Sequence, residues 1–131
     1  MTLQNLIDRA LQARQRAYVP YSHYAVGAAL STPDGDIFAG CNVENAAYPA
    51  CVCAERTALV KAVSEGERAF DVLVVATQNG GSPCGLCRQM LYEFAPDLRV
   101  VAVDAQGEII IDTPLNTLLT HGFGPASLQG E

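Results

Sequence analysis

Three cysteines and one glutamate form the most chemically informative pattern in the sequence. Cys53 and Glu55 are separated by one residue, and a Cys-x-x-Cys pair at Cys84 and Cys87 follows further along the chain. Thiolate sulfur binds zinc at about 2.3 Å, and a Cys-x-x-Cys turn can place two sulfurs on one ion. The chain has five cysteines and only two histidines, neither of which is near these clusters. Any metal site is therefore expected to be rich in cysteine.

Three protein ligands predict a catalytic zinc site, because a structural zinc site is normally closed by four. The open position would hold water, and the metal would bring the pKa of that water toward about 7. Glu55 lies beside one ligand and is suited to carry the protons of this water. Arg56 follows Cys53 by three residues, so both lie on one helical face. Its guanidinium could hydrogen-bond the sulfurs and draw off their negative charge.

Two helices must position these residues. The pattern predicts one helix over 53–64 and a second, shorter one over 87–94, with the Cys-x-x-Cys turn at its start. A helix N-terminus stabilises negative charge and therefore favours the thiolate form of cysteine. The sequence thus places all three cysteines where their ionisation is favoured.

The remaining elements alternate in a way that predicts an α/β fold. Strands that are separated by helices imply crossover connections and partly parallel pairing. We expect a three-layer α/β/α sandwich on a mixed five-stranded sheet, and a tail beyond Gly122 that is partly free. Further helices are expected over 2–17, with Thr2 as its N-cap, and over 115–119, and strands over 24–31, 37–41, 71–77, 99–103 and 108–112.

Length and composition exclude several classes of protein. The chain has 131 residues, which suits one domain over 1–131, and 50% of them are hydrophobic, which excludes a disordered chain. No apolar run approaches the roughly 20 residues that cross a bilayer, and the N-terminus lacks the pattern of a secretory signal. We therefore expect a cytoplasmic protein. Its net charge of −6 argues against a nucleic-acid partner.

Four segments carry a resemblance to a known family. They are residues 21–30 (YSHYAVGAAL), 42–46 (NVENA), 53–58 (CAERTA) and 84–89 (CGLCRQ). The pair Cys-Ala-Glu and Pro-Cys-x-x-Cys is similar to the zinc deaminase motif, with cysteine in place of the more common histidine. Together, and in this order, the segments resemble the small bacterial-type cytidine deaminases over nearly the whole chain.

The resemblance implies a hydrolase of pyrimidine salvage with one Zn²⁺ per chain. Cytidine and 2′-deoxycytidine would become uridine and 2′-deoxyuridine, with release of ammonia. Cys53, Cys84 and Cys87 would hold the zinc, and zinc-bound hydroxide would attack C4 of the ring. Glu55 would pass the proton of the water to N3 and then to the leaving amine.

The resemblance also implies the residues that bind the nucleoside. Asn42 and Glu44 would hydrogen-bond the ribose 3′-hydroxyl, and the backbone of Ala54 would read the pyrimidine edge together with the Glu55 carboxylate. Tyr24 stands where the family usually has phenylalanine, and it would pack near the substrate.

The resemblance also implies a homotetramer, because small members of this family look like homotetramers whose active sites are shared between subunits. This resemblance implies that Tyr48 is contributed across a subunit boundary. Phe123 resembles the C-terminal phenylalanine that reaches into a neighbouring subunit's site, although the residues before it differ from the family's pattern.

Some alternatives remain open at this point. Cys84 and Cys87 alone could be a redox pair, or Cys41 or Cys51 could close a structural zinc site in a non-enzymatic binding module. If they bind no metal, Cys41 and Cys51 are expected to be small apolar residues that fill space in the packing. The enzyme could also be a related zinc deaminase that acts on a nucleoside antibiotic, a free base or an RNA base. The acidic charge disfavours RNA, and the implied ribose contacts disfavour a free base.

Overall fold

The computed structural model describes residues 2–129. Five strands form one sheet, and helices occur before, between and after them. In chain order the elements are α1 (Leu3–Arg14), β1 (Gly27–Ser31), β2 (Ile37–Cys41), a 3-10 helix (Tyr48–Ala50), α2 (Ala54–Ser64), β3 (Val72–Ala76), α3 (Gly85–Tyr92), β4 (Arg99–Val103), β5 (Ile109–Pro114), α4 (Leu115–Leu118) and α5 (Pro125–Leu128).

The sheet is mixed, with the strand order β2-β1-β3-β4-β5. β3 and β4 pair in parallel, with Val74 opposite Val101, and the other neighbouring strands are antiparallel. A parallel pair needs a crossover connection, and α3 supplies it between β3 and β4. The expected mixed five-stranded sheet is confirmed.

Helices cover both faces of this sheet. On one face, α1 packs Leu6 and Ile7 against Val74 and its neighbours in the core. On the other face, α2 and α3 pack Leu59 and Leu91 against Leu73 and the strands beside it. Because alternate residues of one strand point to opposite faces, β3 contributes to both cores. The three-layer arrangement predicted from the sequence is therefore confirmed.

Two glycines allow the helices to approach the sheet closely. A Cβ at Gly27 would lie 2.0 Å from the Ala10 carbonyl oxygen, so α1 could not pack as it does over a larger residue. A Cβ at Gly40 would lie 2.8 Å from the Thr57 Cβ. The first contact fixes α1 on β1, and the second fixes α2 on β2.

The element bounds differ from the sequence prediction at strand and helix ends. β1 begins at Gly27, three residues after its predicted start, and β5 ends at Pro114, two residues after its predicted end. α3 begins at Gly85, two residues before its predicted start, which leaves Cys84 at the N-cap position. α1 ends at Arg14 and not at residue 17, although Thr2 caps it as predicted by accepting the N–H of Asn5. The tail beyond Gly122 includes the short helix α5, which the sequence analysis did not predict. No helix within residues 2–129 is both long and apolar enough to cross a membrane.

Candidate active site

Three cysteine sulfurs meet where α2 and α3 begin. Cys53 is the N-cap residue of α2, Cys84 is the N-cap residue of α3, and Cys87 lies in the first turn of α3. The three sulfurs all lie within 4.8 Å of one another. The structure thus brings together the three cysteines that the sequence analysis selected.

The spacing of the sulfurs fits a zinc ion. Tetrahedral ligands at a Zn–S distance of about 2.3 Å lie about 3.8 Å apart. The Sγ atoms of Cys53 and Cys84 are 3.8 Å apart, and those of Cys84 and Cys87 are 3.4 Å apart. Three sulfurs of this spacing and softness are a donor set that zinc prefers.

The pKa values of the Cys53 and Cys87 thiols are shifted in opposite directions. Hydrogen bonds with Cys87, Arg56 and Cys84 together lower the pKa of Cys53 to about 5, against the opposite effect of burial. The same hydrogen bond with Cys53 raises the pKa of Cys87 above its usual range. The site therefore favours a thiolate on Cys53, at the N-terminus of α2, where the helix dipole also stabilises it.

Arg56 is the cation closest in sequence to this thiolate. Its Nη2 lies 3.9 Å from the Cys53 Sγ and donates to the Cys51 carbonyl oxygen at 3.0 Å. Its Nε is buried and has no hydrogen-bond partner among residues 2–129. The guanidinium thus lies against the sulfur cluster from the α2 side, on the face that the sequence spacing predicts.

Glu55 is a buried carboxyl beside the sulfurs. The residue is 5% exposed, and it lines a cavity together with Cys53 and Cys84. Burial raises the pKa of Glu55 to about 7, and the negative charge of Cys53 acts in the same direction. A carboxyl that gains and loses a proton near neutral pH is matched to general acid–base chemistry.

The cavity in front of Glu55 has a volume of about 310 Å³. This is the size of a small-molecule site. Loops before β1, after β2 and after β3 form its walls, and the N-terminus of α2 forms its end. Its lining residues are Ser22, Tyr24, Val26, Asn42, Glu44, Cys53, Ala54, Glu55, Val75, Thr77, Gly81, Ser82 and Cys84.

Asn42 and Glu44 lie in this cavity and are held by the loop before β1. The Asn42 side chain accepts the Val26 N–H at 2.9 Å and donates to the Tyr24 carbonyl oxygen at 2.9 Å. Oε1 of Glu44 accepts the backbone N–H groups of residues 21 and 22, at 3.0 and 3.1 Å. Its Oε2 accepts the Ser22 hydroxyl, which lowers the pKa of Glu44. Glu44 is therefore a rigidly held carboxylate.

Tyr24 links the wall formed by residues 21–26 to the loop after β3. Its hydroxyl donates to the Asn79 Oδ1 at 2.5 Å. Thr77 orders the same loop, because its Oγ1 accepts the N–H groups of Gly80 and Gly81 at 2.7 and 2.9 Å. This loop leads directly to Cys84, so the hydroxyl of Tyr24 connects the wall that carries Asn42 and Glu44 with one of the three cysteines.

Two predicted substrate contacts lie outside this cavity. Tyr48 is 69% exposed and stacks edge-on against Tyr21, with ring centroids 5.9 Å apart. Phe123 is 58% exposed, and its carbonyl oxygen accepts the side-chain amide of Gln89 at 2.8 Å. Within one chain, neither aromatic ring completes the pocket.

No fourth sulfur joins the cluster among residues 2–129. Cys51 Sγ accepts the N–H of Asn45 at 3.3 Å, and Cys41 lines a different cavity. The only group of three or more potential metal ligands in this part of the chain is that of Cys53, Cys84 and Cys87. This arrangement argues against a closed structural zinc site.

Several cavity residues were missed by the sequence analysis. Ser22 holds Glu44, and Thr77 orders the loop before the Cys-x-x-Cys turn at Cys84. Thr77 could have been found, because a polar residue at the end of a buried strand is placed to serve a site at that edge. Ser22 had no such signal, since its role depends on a contact with a residue 22 positions away.

Comparison with known proteins gives one consistent result. The family model for the cytidine and deoxycytidylate deaminase zinc-binding region matches residues 1–103. A cytidine deaminase from Sporosarcina psychrophila is 45% identical over 98% of this chain and 96% of its own length. One from Halalkalibacterium halodurans is 50% identical over 83% of this chain and 85% of its own length.

A solved structure extends the likeness to the fold. The 1.6 Å crystal structure of cytidine deaminase from Burkholderia pseudomallei superimposes with a TM-score of 0.89 at 46% identity. The alignment covers 94% of this chain and 100% of that one. Sequence, fold and sulfur geometry therefore agree, and the chain belongs to the cytidine and deoxycytidylate deaminase family of zinc-dependent hydrolases.

Proposed function

We propose that this chain hydrolyses cytidine and 2′-deoxycytidine to uridine and 2′-deoxyuridine, with release of ammonia, as part of pyrimidine salvage. One observation supports this most directly. The buried Glu55 carboxyl and the three-sulfur cluster face the same nucleoside-sized cavity from the start of a single helix.

Zinc held by Cys53, Cys84 and Cys87 supplies, when bound, a Lewis acid that lowers the pKa of a water molecule. Glu55 takes the proton that this water gives up and delivers it to N3 of the pyrimidine. After the oxygen of this water has bonded to C4, Glu55 carries its second proton to the amine, which leaves C4 as ammonia. The burial of Glu55 keeps bulk water away from these transfers.

The start of α2 contributes to recognition of the ring. The first N–H groups of a helix have no intrahelical acceptor, and Ala54 occupies the first position of α2 at the end of the cavity. We assign to the backbone of Ala54 a hydrogen bond with the pyrimidine edge. The carboxyl of Glu55 reads N3 and the amine beside it.

Asn42 and Glu44 have the hydrogen-bonding capacity that one hydroxyl requires. The Asn42 amide nitrogen has two hydrogens, and one of them is used by the Tyr24 carbonyl. Oε2 of Glu44 accepts the Ser22 hydroxyl and retains a second lone-pair direction. A hydroxyl can accept from Asn42 and donate to Glu44, so the pair is assigned to the ribose 3′-hydroxyl.

Arg56 and Tyr24 support these groups. Arg56 offers hydrogen bonds to Cys53, which offsets part of the negative charge that three thiolates give a zinc site. Tyr24 packs at the cavity wall, and its hydroxyl fixes the loop that leads to Cys84. We assign both to positioning and packing roles around the reacting groups.

Shared active sites in a homotetramer are part of the proposal. The exposure of Tyr48 and Phe123 supports it, because tyrosine and phenylalanine are enriched in the buried centres of protein interfaces. We also propose that residues 1–131 form one cytidine deaminase domain and that the protein acts in the cytoplasm, where free thiols are maintained in reduced form.

The role of Glu55 is tested by Glu55→Gln. This change keeps the shape of the side chain and removes its ability to carry a proton, so kcat for cytidine should fall by about 10²–10⁴-fold. Zinc content, measured by elemental analysis, should stay at one per chain. The control is Glu65→Gln at the other end of α2, which should keep full activity. Residual kcat above about a tenth of the wild-type value would contradict the assignment.

The ribose contact is tested by a cycle of enzyme and substrate changes. Hydrogen bonds to a charged group contribute about 1.5–3 kcal/mol. The unmodified enzyme should therefore prefer 2′-deoxycytidine over 2′,3′-dideoxycytidine by roughly 10- to 100-fold in kcat/KM. In Glu44→Gln this preference should shrink severalfold. An unchanged preference in the variant would show that Glu44 does not contact the 3′-hydroxyl, whatever the absolute loss of activity.

Shared sites are tested by mixing two inactive kinds of subunit. Light scattering should first give a mass near four times the 13.9 kDa chain. Glu55→Gln and Phe123→Ala subunits are then co-expressed. The Phe123→Ala subunit keeps Glu55, and a neighbouring Glu55→Gln subunit can supply the phenylalanine that its site lacks. Activity should exceed the average of the two separate variants severalfold. A mass of one chain, or activity equal to that average, would contradict the shared site.

A further inference from the structure

A second cavity lies between α1, β2 and α2. Its volume is about 400 Å³, and it shares no lining residue with the cavity in front of Glu55. We refer to it as the basic cavity. Its polar and charged lining residues are Arg9, Gln12, Arg16, Cys41, Thr57 and Lys61.

The charge of this cavity is opposite to that of the chain. The chain has eight Lys and Arg residues against 14 Asp and Glu, and its net charge is −6. Three of the eight cations line the basic cavity, and no acidic residue lines it. A random distribution of charges over an acidic surface would not favour three cations and no carboxylate around one concavity.

The cations are arranged so that they can act together. Arg9 and Gln12 are one turn apart on α1, and Arg16 lies just beyond Gln15, the C-cap residue of that helix. Lys61 faces them from α2, and its ammonium donates to the carbonyl oxygen of Ala39 on β2. The opening between the two helices is therefore bordered by positive charge on both sides.

The two arginines have no acidic partner in the described part of the chain. The single ion pair formed within residues 2–129 joins Arg99 of β4 to Asp112 of β5, at the edge of the sheet opposite β2. Arg9 and Arg16 are exposed to solvent at the cavity mouth. Three like charges around one cavity repel one another, and a multivalent anion would relieve that repulsion.

We propose that the basic cavity binds a small anion that carries two or more phosphate groups. The planar fork of arginine matches two phosphate oxygens at once, and lysine adds a point charge. The Gln12 amide provides a further uncharged donor. The cavity is larger than one phosphate requires, and its three cations match an oligophosphate better than a monovalent anion.

Isothermal titration of the whole protein with sodium tripolyphosphate tests this proposal. The wild-type chain should bind one tripolyphosphate per chain saturably, and sulfate at the same ionic strength should not replace it. The double variant Arg9→Gln/Arg16→Gln should weaken Kd by about tenfold or more, since two charge-assisted hydrogen-bonding groups are lost. A matched variant, Arg68→Gln, removes an exposed arginine that does not line the cavity, and should leave Kd unchanged.

Thermal unfolding gives a second measurement of the same binding. Ligand that binds the folded state raises the midpoint temperature, so tripolyphosphate should raise it more for Arg68→Gln than for the double variant. Any removal of zinc by the polyphosphate affects both variants alike, so their difference reports the basic cavity. Absence of saturable binding to the wild-type chain, or an equal loss of affinity in the two variants, would overturn the proposal.

Discussion

The structure depends on the placement of a buried carboxyl beside three thiol groups at the start of one helix. Glu55 is almost fully buried, and the charged form of a buried carboxyl is strongly disfavoured unless the surroundings compensate for it. Its neighbour Cys53 carries the thiolate and makes ionisation of Glu55 less favourable still. The N-terminus of α2 and the nearby guanidinium of Arg56 are the groups that make this concentration of acidic side chains tolerable.

The fold produces this arrangement because α2 and α3 lie in the connections that enter and leave β3. α2 precedes β3 and α3 follows it, so both helices begin near the sheet end at which Thr77 lies. The absence of a side chain at Gly40 lets α2 pack closely on β2 at Thr57, and the first residue before this helix, Cys53, lies next to the Cys-x-x-Cys turn. The parallel pairing of β3 with β4 requires the connection that contains α3. The same topology thus produces the sheet and brings together sulfurs that are distant in sequence.

Much of this could be predicted from the sequence, because the chemistry is concentrated in short segments. The apolar run of β3, the hairpin of β1 and β2, and the cysteines at helix starts all depend on local patterns. Ser22 and the bond between Tyr24 and Asn79 could not be predicted, because they depend on loops that meet only after the sheet forms. The early start of α3 was missed because glycine is a weak helix former, although it is suitable at the first helical position.

X-ray absorption at the zinc edge of the zinc-loaded protein tests the open three-sulfur site most directly. We expect one zinc per chain with three sulfur neighbours at about 2.3 Å and one lighter neighbour, oxygen or nitrogen, at about 2.0–2.1 Å. A shell of four sulfurs would contradict it, because Cys41 or Cys51 would then have to move to close the site.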